Sequence, residues 1–197
     1  QTQLHAALTT ITKDMHLLDI GCGIGGPARY FATEFGCTVT GIDLTPEYID
    51  TARILTGKVG LSDRVAFDCG DATELPYDDV SFDMVWALNV TMNIRDRQKL
   101  YSEMRRGLKD GGRVAISELG QGPRGDPYYP LPWARDASYS FLLPPDEMRG
   151  MLENGGFRIL EWVDEAARRQ AAEKYLPPPT PEVDTPLTIE ITRGDDY

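Results

Sequence analysis

Hydrophobic and polar positions along the chain follow two different periods. Short apolar runs of strand length alternate with amphipathic segments, such as the one in which Leu100, Met104 and Leu108 recur every four residues. The apolar runs predict strands at residues 17–20, 37–43, 65–69, 82–89, 114–118, 157–163 and 187–191. Helices are predicted at residues 27–35, 46–58, about 100–108 and 144–154. This alternation, with short connections, predicts an α/β fold whose mostly parallel sheet is covered on both faces.

Composition and charge narrow the kinds of partner. The 197 residues, 41% of them hydrophobic, are enough for one domain with a substantial core. A formal charge of −11 gives no broad positive field for nucleic acid or an anionic bilayer. The three cysteines, Cys22, Cys37 and Cys69, lack C-x-x-C spacing and predict neither a disulfide framework nor a zinc site. We therefore expect a cytoplasmic protein without a metal, and without membrane insertion or nucleic acid as a partner.

A glycine-rich loop follows the first predicted strand. Gly21, Gly23 and Gly26 match the G-x-G-x-x-G pattern of dinucleotide sites, and Asp43 supplies an acid about 20 residues later. Glycines permit tight turns and close approach of a ligand, and Pro27 is suited to the first turn of a helix whose free N–H groups receive an anionic group. The loop alone is therefore compatible with an NAD(P)-dependent oxidoreductase as well as with other nucleotide-binding enzymes.

Three further polar residues stand where predicted strands end. Asp19 lies two residues before the first glycine, Asp71 follows the third strand, and Asn89 closes the fourth. Ligands of α/β sheets bind beyond the carboxyl ends of the strands. A second acid after the third strand is not explained by a nicotinamide site.

The order of these segments resembles the class I S-adenosylmethionine-dependent methyltransferases over residues 15–163. Residues 18–25 resemble the family's first motif, 41–43 the second and 70–72 the third. Residues 25–30 and 92–94 are similar to the small-molecule branch that includes ubiquinone/menaquinone, tocopherol, sterol and glycine/sarcosine methyltransferases. The chain departs from the common pattern at Asn89, where many relatives carry histidine, and at Asp110, which replaces a proline.

The resemblance implies a Rossmann-like, doubly wound sheet of seven strands, the last antiparallel. It also implies a single domain over residues 1–197. Its parts are an N-terminal helix or lid remnant at 1–15, a cofactor-binding core at 16–118, a substrate loop at 119–143 and the C-terminal part of the sheet at 144–197.

S-adenosylmethionine is the implied cofactor, and S-adenosylhomocysteine its product. Asp43 is then expected to accept hydrogen bonds from the ribose hydroxyls and Asp71 from the adenine amino group. Each acid has a structural alternative: Asp43 as a cap of the following turn, Asp71 as a solvated loop acid, and Asp19 as a brace of the loop. The implied cofactor-binding set is Asp19, Gly21, Cys22, Gly23, Gly25, Asp43, Leu44, Asp71, Ala72 and Asn89.

The expected function is methyl transfer to a small-molecule nitrogen, oxygen or carbon nucleophile by in-line displacement, mainly through proximity and alignment. Catalytic residues are not identified by the sequence, and the candidates on the acceptor side are Asn89, Tyr129 and Trp133. The alternatives are an NAD(P)-dependent oxidoreductase and a non-catalytic S-adenosylmethionine-binding module. The sequence also leaves open whether the protein forms a homo-oligomer.

Overall fold

A computed structural model describes residues 2, 6, 9–122 and 125–164 of the chain. Contacts within the chain divide it into two compact units, Gln1–Phe157 and Arg158–Tyr197. Residues 158–164 are the described part of the second unit. The single domain and its internal boundaries stay predictions.

The first unit holds a succession of strands and helices. The strands are β1 (His16–Ile20), β2 (Thr38–Asp43), β3 (Val65–Cys69), β4 (Phe82–Leu88) and β5 (Leu108–Ser117). The helices are α1 (Gly26–Phe35), α2 (Pro46–Lys58), α3 (Arg97–Gly107) and α4 (Pro145–Asn154), and two 3-10 turns span Thr91–Asn93 and Ala137–Tyr139. The first four predicted strands and the helices predicted at residues 27–35, 46–58, 100–108 and 144–154 are confirmed to within a few residues. No helix within the described ranges is long and apolar enough to cross a membrane.

The five strands form one parallel sheet in the order β3-β2-β1-β4-β5. In its centre, Leu18 pairs with Thr40 of β2 on one side and with Val85 of β4 on the other. All five carboxyl ends therefore meet at one edge, and the chain reverses its winding direction between β1 and β4. This Rossmann-like order places the ligand crevice at that edge.

β5 differs from its prediction because it begins six residues earlier, at Leu108. Its register with β4 shifts between the pairs Phe82↔Leu108 and Met84↔Arg113, so the residues between the predicted helix and the predicted strand form a bulge within β5. Gly111 has a φ of 76°, a backbone conformation that glycine adopts without steric cost.

The prediction of a strand at residues 157–163 is wrong, because the structure forms no regular element there. An apolar run becomes a strand only where a neighbouring strand completes its hydrogen bonds, and Leu160 is 64% exposed. The predicted strand at residues 187–191 lies outside the described residues. The structure thus shows five strands, and a seven-stranded sheet with an antiparallel last strand is not confirmed.

The core covers both faces of the sheet. Leu17 and Leu18 are successive residues of β1 and point to opposite faces, yet both are fully buried. On one face, the rings of Phe31 in α1 and Trp86 in β4 pack edge to face at 4.8 Å. Ala6, ahead of β1, is buried in the same cluster. The edge that carries the site is therefore supported by a packed layer beneath it.

Truncation of Phe31 tests this support. We expect Phe31→Ala to lower the free energy of unfolding by about 3–5 kcal/mol, because it removes a fully buried ring and leaves a cavity against Trp86. Ile54→Ala, at a position 60% exposed on α2, is the matched control and should change it by about 1 kcal/mol or less. Urea titration of both variants measures the difference, and equal losses would contradict this account of the core.

Candidate functional site

The glycine loop after β1 is hydrogen-bonded to the end of β2. The N–H groups of Gly21 and Cys22 both donate to the carbonyl of Ile42, at 2.8 and 3.1 Å. A Cβ atom on Gly21 would lie 2.3 Å from the side chain of Val90, and its φ of 65° also requires glycine. The loop is therefore fixed between the ends of two neighbouring strands and the residue that follows Asn89.

Asp43 joins this loop to the turn after β2. One carboxylate oxygen accepts the N–H of Gly23 and the other accepts the N–H of Thr45, both at 2.9 Å. The capping alternative from the sequence is thus present, together with a contact to the glycine loop. A carboxylate oxygen accepts more than one hydrogen bond, so the capped Asp43 still has acceptor capacity for a ligand.

Asp19 is a buried carboxyl beneath the loop. It is 1% exposed and accepts the N–H of Ala28 in the first turn of α1, but Oδ2 has no hydrogen-bond partner. Burial raises the pKa of Asp19 from its ordinary value of 3.8 to about 7. The hydrogen bond from Ala28 lowers this pKa, and the negative charge of Asp43 raises it further. An unpartnered buried oxygen of this kind is costly unless another group uses it.

Cys22 lies among carboxylates and remains a thiol. Burial first, and then the charges of Asp19, Asp43 and Asp68, raise the pKa of Cys22 far above its usual range. A thiolate nucleophile is therefore not available at this position.

Asp68 is an acid near the glycine loop that the sequence analysis missed, and its charge acts on Cys22. It lies in β3 opposite Ile42 and accepts the hydroxyl of Tyr77 at 3.0 Å. The available signal was an acid at an inner position of a predicted strand, where an apolar residue is the norm.

Asp71, Ala72 and Leu44 stand at the neighbouring ends of β2 and β3. The N–H of Gly70 donates to the carbonyl of Asp43 at 3.0 Å, which joins the two strand ends. Asp71 is exposed, and its Oδ1 accepts the N–H and hydroxyl of Thr73, both at 2.8 Å. Leu44 is 71% exposed, an unusual environment for a large apolar side chain.

The acceptor-side candidates lie in separate segments. Asn89 has a φ of 54°, and its N–H donates to the carbonyl of Ser117 at 2.7 Å, at the end of β5. Trp133 donates from Nε1 to the hydroxyl of Ser140 at 3.3 Å, a contact within its own loop. Tyr129 is half-buried in that loop. The described part of the chain holds no group of three or more His, Cys, Asp or Glu side chains placed to bind a metal ion.

The buried carboxyl of Asp19 predicts a specific pH dependence of stability. Because its folded pKa is raised, the native state holds a proton that the unfolded chain releases, so stability falls as pH rises from about 4 to 7. Asp19→Asn removes this penalty and should raise the free energy of unfolding at pH 8 by up to about 4 kcal/mol, with little effect at pH 4. Urea titration of the ligand-free protein at both pH values measures the effect. Asp63→Asn, an exposed acid before β3, should show no such difference, and a matching result in both variants would contradict the assignment.

Comparison with known proteins agrees with this geometry. The family described as "Methyltransferase domain" matches residues 18–116, half of the chain. The methyltransferase GfsG of Streptomyces halstedii is 43% identical over 103 residues, which cover 52% of this chain and 37% of that protein. The chain therefore spans well under two thirds of this relative.

Two solved structures show the same fold. The (4+2)-cyclase SpnF has a TM-score of 0.75 and 32% identity, with 85% of this chain and 59% of the other covered. Phosphoethanolamine N-methyltransferase 2 of Haemonchus contortus, in complex with S-adenosyl-L-methionine, has a TM-score of 0.71 and 28% identity, with 86% and 40% covered. With its glycine loop and strand-end acids in place, the chain belongs to the class I S-adenosylmethionine-dependent methyltransferase family, whose cofactor is S-adenosylmethionine.

Proposed function

We propose that this chain transfers a methyl group from S-adenosylmethionine to a small-molecule acceptor. The observation that carries the proposal is the pair of carboxyl groups at the glycine loop, Asp19 beneath it and Asp43 beside it. The comparisons give no support to the oxidoreductase or to a non-catalytic binding module.

The residues present fit a cationic ligand at the loop. Asp19 Oδ2 is a buried acceptor without a partner, and an ammonium group is the donor that would satisfy it and favour its ionised form. Nothing lies within 4 Å of a Cβ built on Gly23, so a ligand has room to approach the backbone there. We assign the methionine end of the cofactor to Gly21, Cys22, Gly23 and Gly25, with Asp19 taking its ammonium group.

The ends of β2 and β3 provide for the adenosine part. Asp43 retains acceptor capacity and is held in orientation by two backbone N–H groups, which suits it to the two ribose hydroxyls. Asp71 keeps Oδ2 for the adenine amino group, while Leu44 and Ala72 supply apolar surface for the ring.

The bound cofactor supplies the electrophilic methyl group and its own leaving group, so the protein's task is alignment of the acceptor. A general base is required only for an acceptor that must lose a proton. We place the acceptor between Asn89 and the aromatic loop, which is residues 125–143 and contains Tyr129 and Trp133. Both segments come after the carboxyl ends of β4 and β5, at the edge of the sheet to which the cofactor is assigned.

Substitution of the two strand-end acids tests the cofactor site. We expect Asp43→Ala to weaken S-adenosylhomocysteine binding by roughly 100-fold, because two hydrogen bonds to a charged acceptor are lost. Asp71→Ala should weaken it by roughly 10-fold, since one hydrogen bond is lost. Calorimetric titration with S-adenosylmethionine, S-adenosylhomocysteine and NAD measures all three ligands. Asp63→Asn is the control, and tight NAD binding without affinity for the sulfonium compound would refute the proposal.

Transfer of a labelled methyl group tests the reaction itself. The protein is incubated with methyl-labelled S-adenosylmethionine and a metabolite extract, and labelled products are separated. With the acceptor so found, Asn89→Ala, Tyr129→Ala and Trp133→Ala should each lower kcat/KM by about 10-fold or more, because alignment of the acceptor is disturbed. Unchanged rates in all three would show that the acceptor lies elsewhere. Measurement is essential because the similar fold of SpnF belongs to a cyclase.

Finer features of the whole protein belong to the same proposal. We infer an antiparallel last strand of the sheet at residues 187–191, a cytoplasmic location and no nucleic acid partner; the oligomeric state is left open. The alternating apolar residues at 187–191 support the last strand, and the lack of C-x-x-C spacing among the cysteines supports the location. The net charge of −11 argues against nucleic acid as a partner.

A further inference from the structure

Four parts of the fold meet at a buried arginine at the start of α3. Arg97 is 2% exposed, and its Nη1 lies 2.6 Å from Oε1 of Glu118, the residue after β5. The other oxygen of Glu118 accepts the hydroxyl of Thr91, in the 3-10 turn after β4. Arg97 Nη2 donates to the carbonyl of Phe141 at 2.9 Å. The guanidinium of Arg97 therefore joins α3 to Glu118 and to Phe141, and Glu118 extends this network to the turn after β4.

Phe141 is held at three points. Its carbonyl accepts Arg97, its N–H donates to the carbonyl of Met92 at 2.7 Å, and its ring lies under the guanidinium of Arg95 at 4.8 Å. Met92 belongs to the turn that follows Asn89. The aromatic loop is thus fastened to the segment on which we place the acceptor.

The buried ion pair of Arg97 and Glu118 adds little net stability by itself. Desolvation of two charges offsets most of their attraction, and Arg97 Nε has no hydrogen-bond partner among the described residues. Glu118 has both oxygens engaged, one with Arg97 and one with Thr91. It therefore balances the charge of Arg97 and is poorly placed to accept a proton from an acceptor molecule.

We propose that Arg97 is a positioning residue for the acceptor half of the site. By holding the carbonyl of Phe141, it fixes residues 125–143 relative to the segment after β4, and Glu118 is the counter-charge that keeps Arg97 in place. The meaning of this role for catalysis rests on the proposed methyl transfer. The cofactor half, at the ends of β1, β2 and β3, makes none of these contacts.

Amide hydrogen exchange of the ligand-free protein tests the role without any acceptor. We expect Arg97→Met to raise the exchange rate of the Phe141 amide by roughly 10- to 100-fold, because a charged hydrogen bond that anchors this residue is lost. Peptides from β1 and β2 should keep their protection. Arg105→Met removes the same charge from an exposed position of α3 and should leave Phe141 unchanged. Unchanged protection of Phe141 in Arg97→Met would overturn the proposal.

A double variant separates positioning from stability. Glu118→Gln should raise the exchange rate of the Phe141 amide as Arg97→Met does, because it leaves the buried charge of Arg97 uncompensated. Arg97→Met combined with Glu118→Gln removes both charges and should recover much of the lost resistance to urea, yet Phe141 should still exchange fast because its carbonyl has no donor. Recovery of both properties together would reduce Arg97 to a structural role and overturn the proposal. If Arg97→Met does not fold, Arg97→Lys replaces it, since Lys keeps the charge but lacks the two separate nitrogens with which Arg97 reaches Glu118 and Phe141.

Ligand binding and turnover complete the test. S-adenosylhomocysteine affinity of Arg97→Met should stay within about threefold of the parent protein, whereas the KM for the identified acceptor rises about 10-fold or more. A parallel loss of cofactor affinity would contradict a role confined to the acceptor half. Absence of S-adenosylhomocysteine binding by the parent protein would instead refute the proposed function, and the exchange result would still decide whether Arg97 anchors the loop.

Discussion

The site depends on the hydrogen bonds between the loop after β1 and the end of β2. Two N–H groups of the loop converge on the carbonyl of Ile42, and a third reaches the carboxylate of Asp43. Because β1 and β2 are parallel neighbours in exact register, their ends lie side by side, and the loop has a backbone partner as soon as the sheet forms. The side chain of Asp43 therefore takes its orientation from the same contact that shapes the glycine loop.

The charge arrangement at this edge opposes folding of the ligand-free protein. Asp19 is buried with an unpartnered oxygen, and the charges of Asp43 and Asp68 act on the same small region around Cys22. Protein interiors rarely keep such groups unless a ligand or counter-charge uses them. A cationic ligand interacts favourably with these carboxyl groups. The arrangement that lowers the stability of the ligand-free protein therefore also favours binding of the ligand.

The sequence predicted the parts of the site that are local in the chain. The glycine loop follows a strand that its apolar run makes recognisable, and Asp19 and Asp43 lie at the ends of such strands. Parallel topology then brings the strand ends together. Tyr77 with Asp68, and Arg97 with Glu118, were not predicted, because such pairs form only when the sheet and α3 have packed. The strand at residues 157–163 failed for the related reason that hydrophobicity does not show whether a neighbour exists to pair with it.

Helix α3 connects the two halves of the site through a second arginine. The spacing of Leu100 and Met104 predicted its buried face, and Arg106 lies outside that face with a side chain 30% exposed. Arg106 donates to the carbonyls of Leu75 and Tyr77, in the segment that follows Asp71, as Arg97 donates to the carbonyl in the aromatic loop. The two arginines are nine residues apart, about 14 Å along a rigid helix. The segments to which we assign the adenine and the acceptor are thereby both hydrogen-bonded to one helix, so the helix sets their separation.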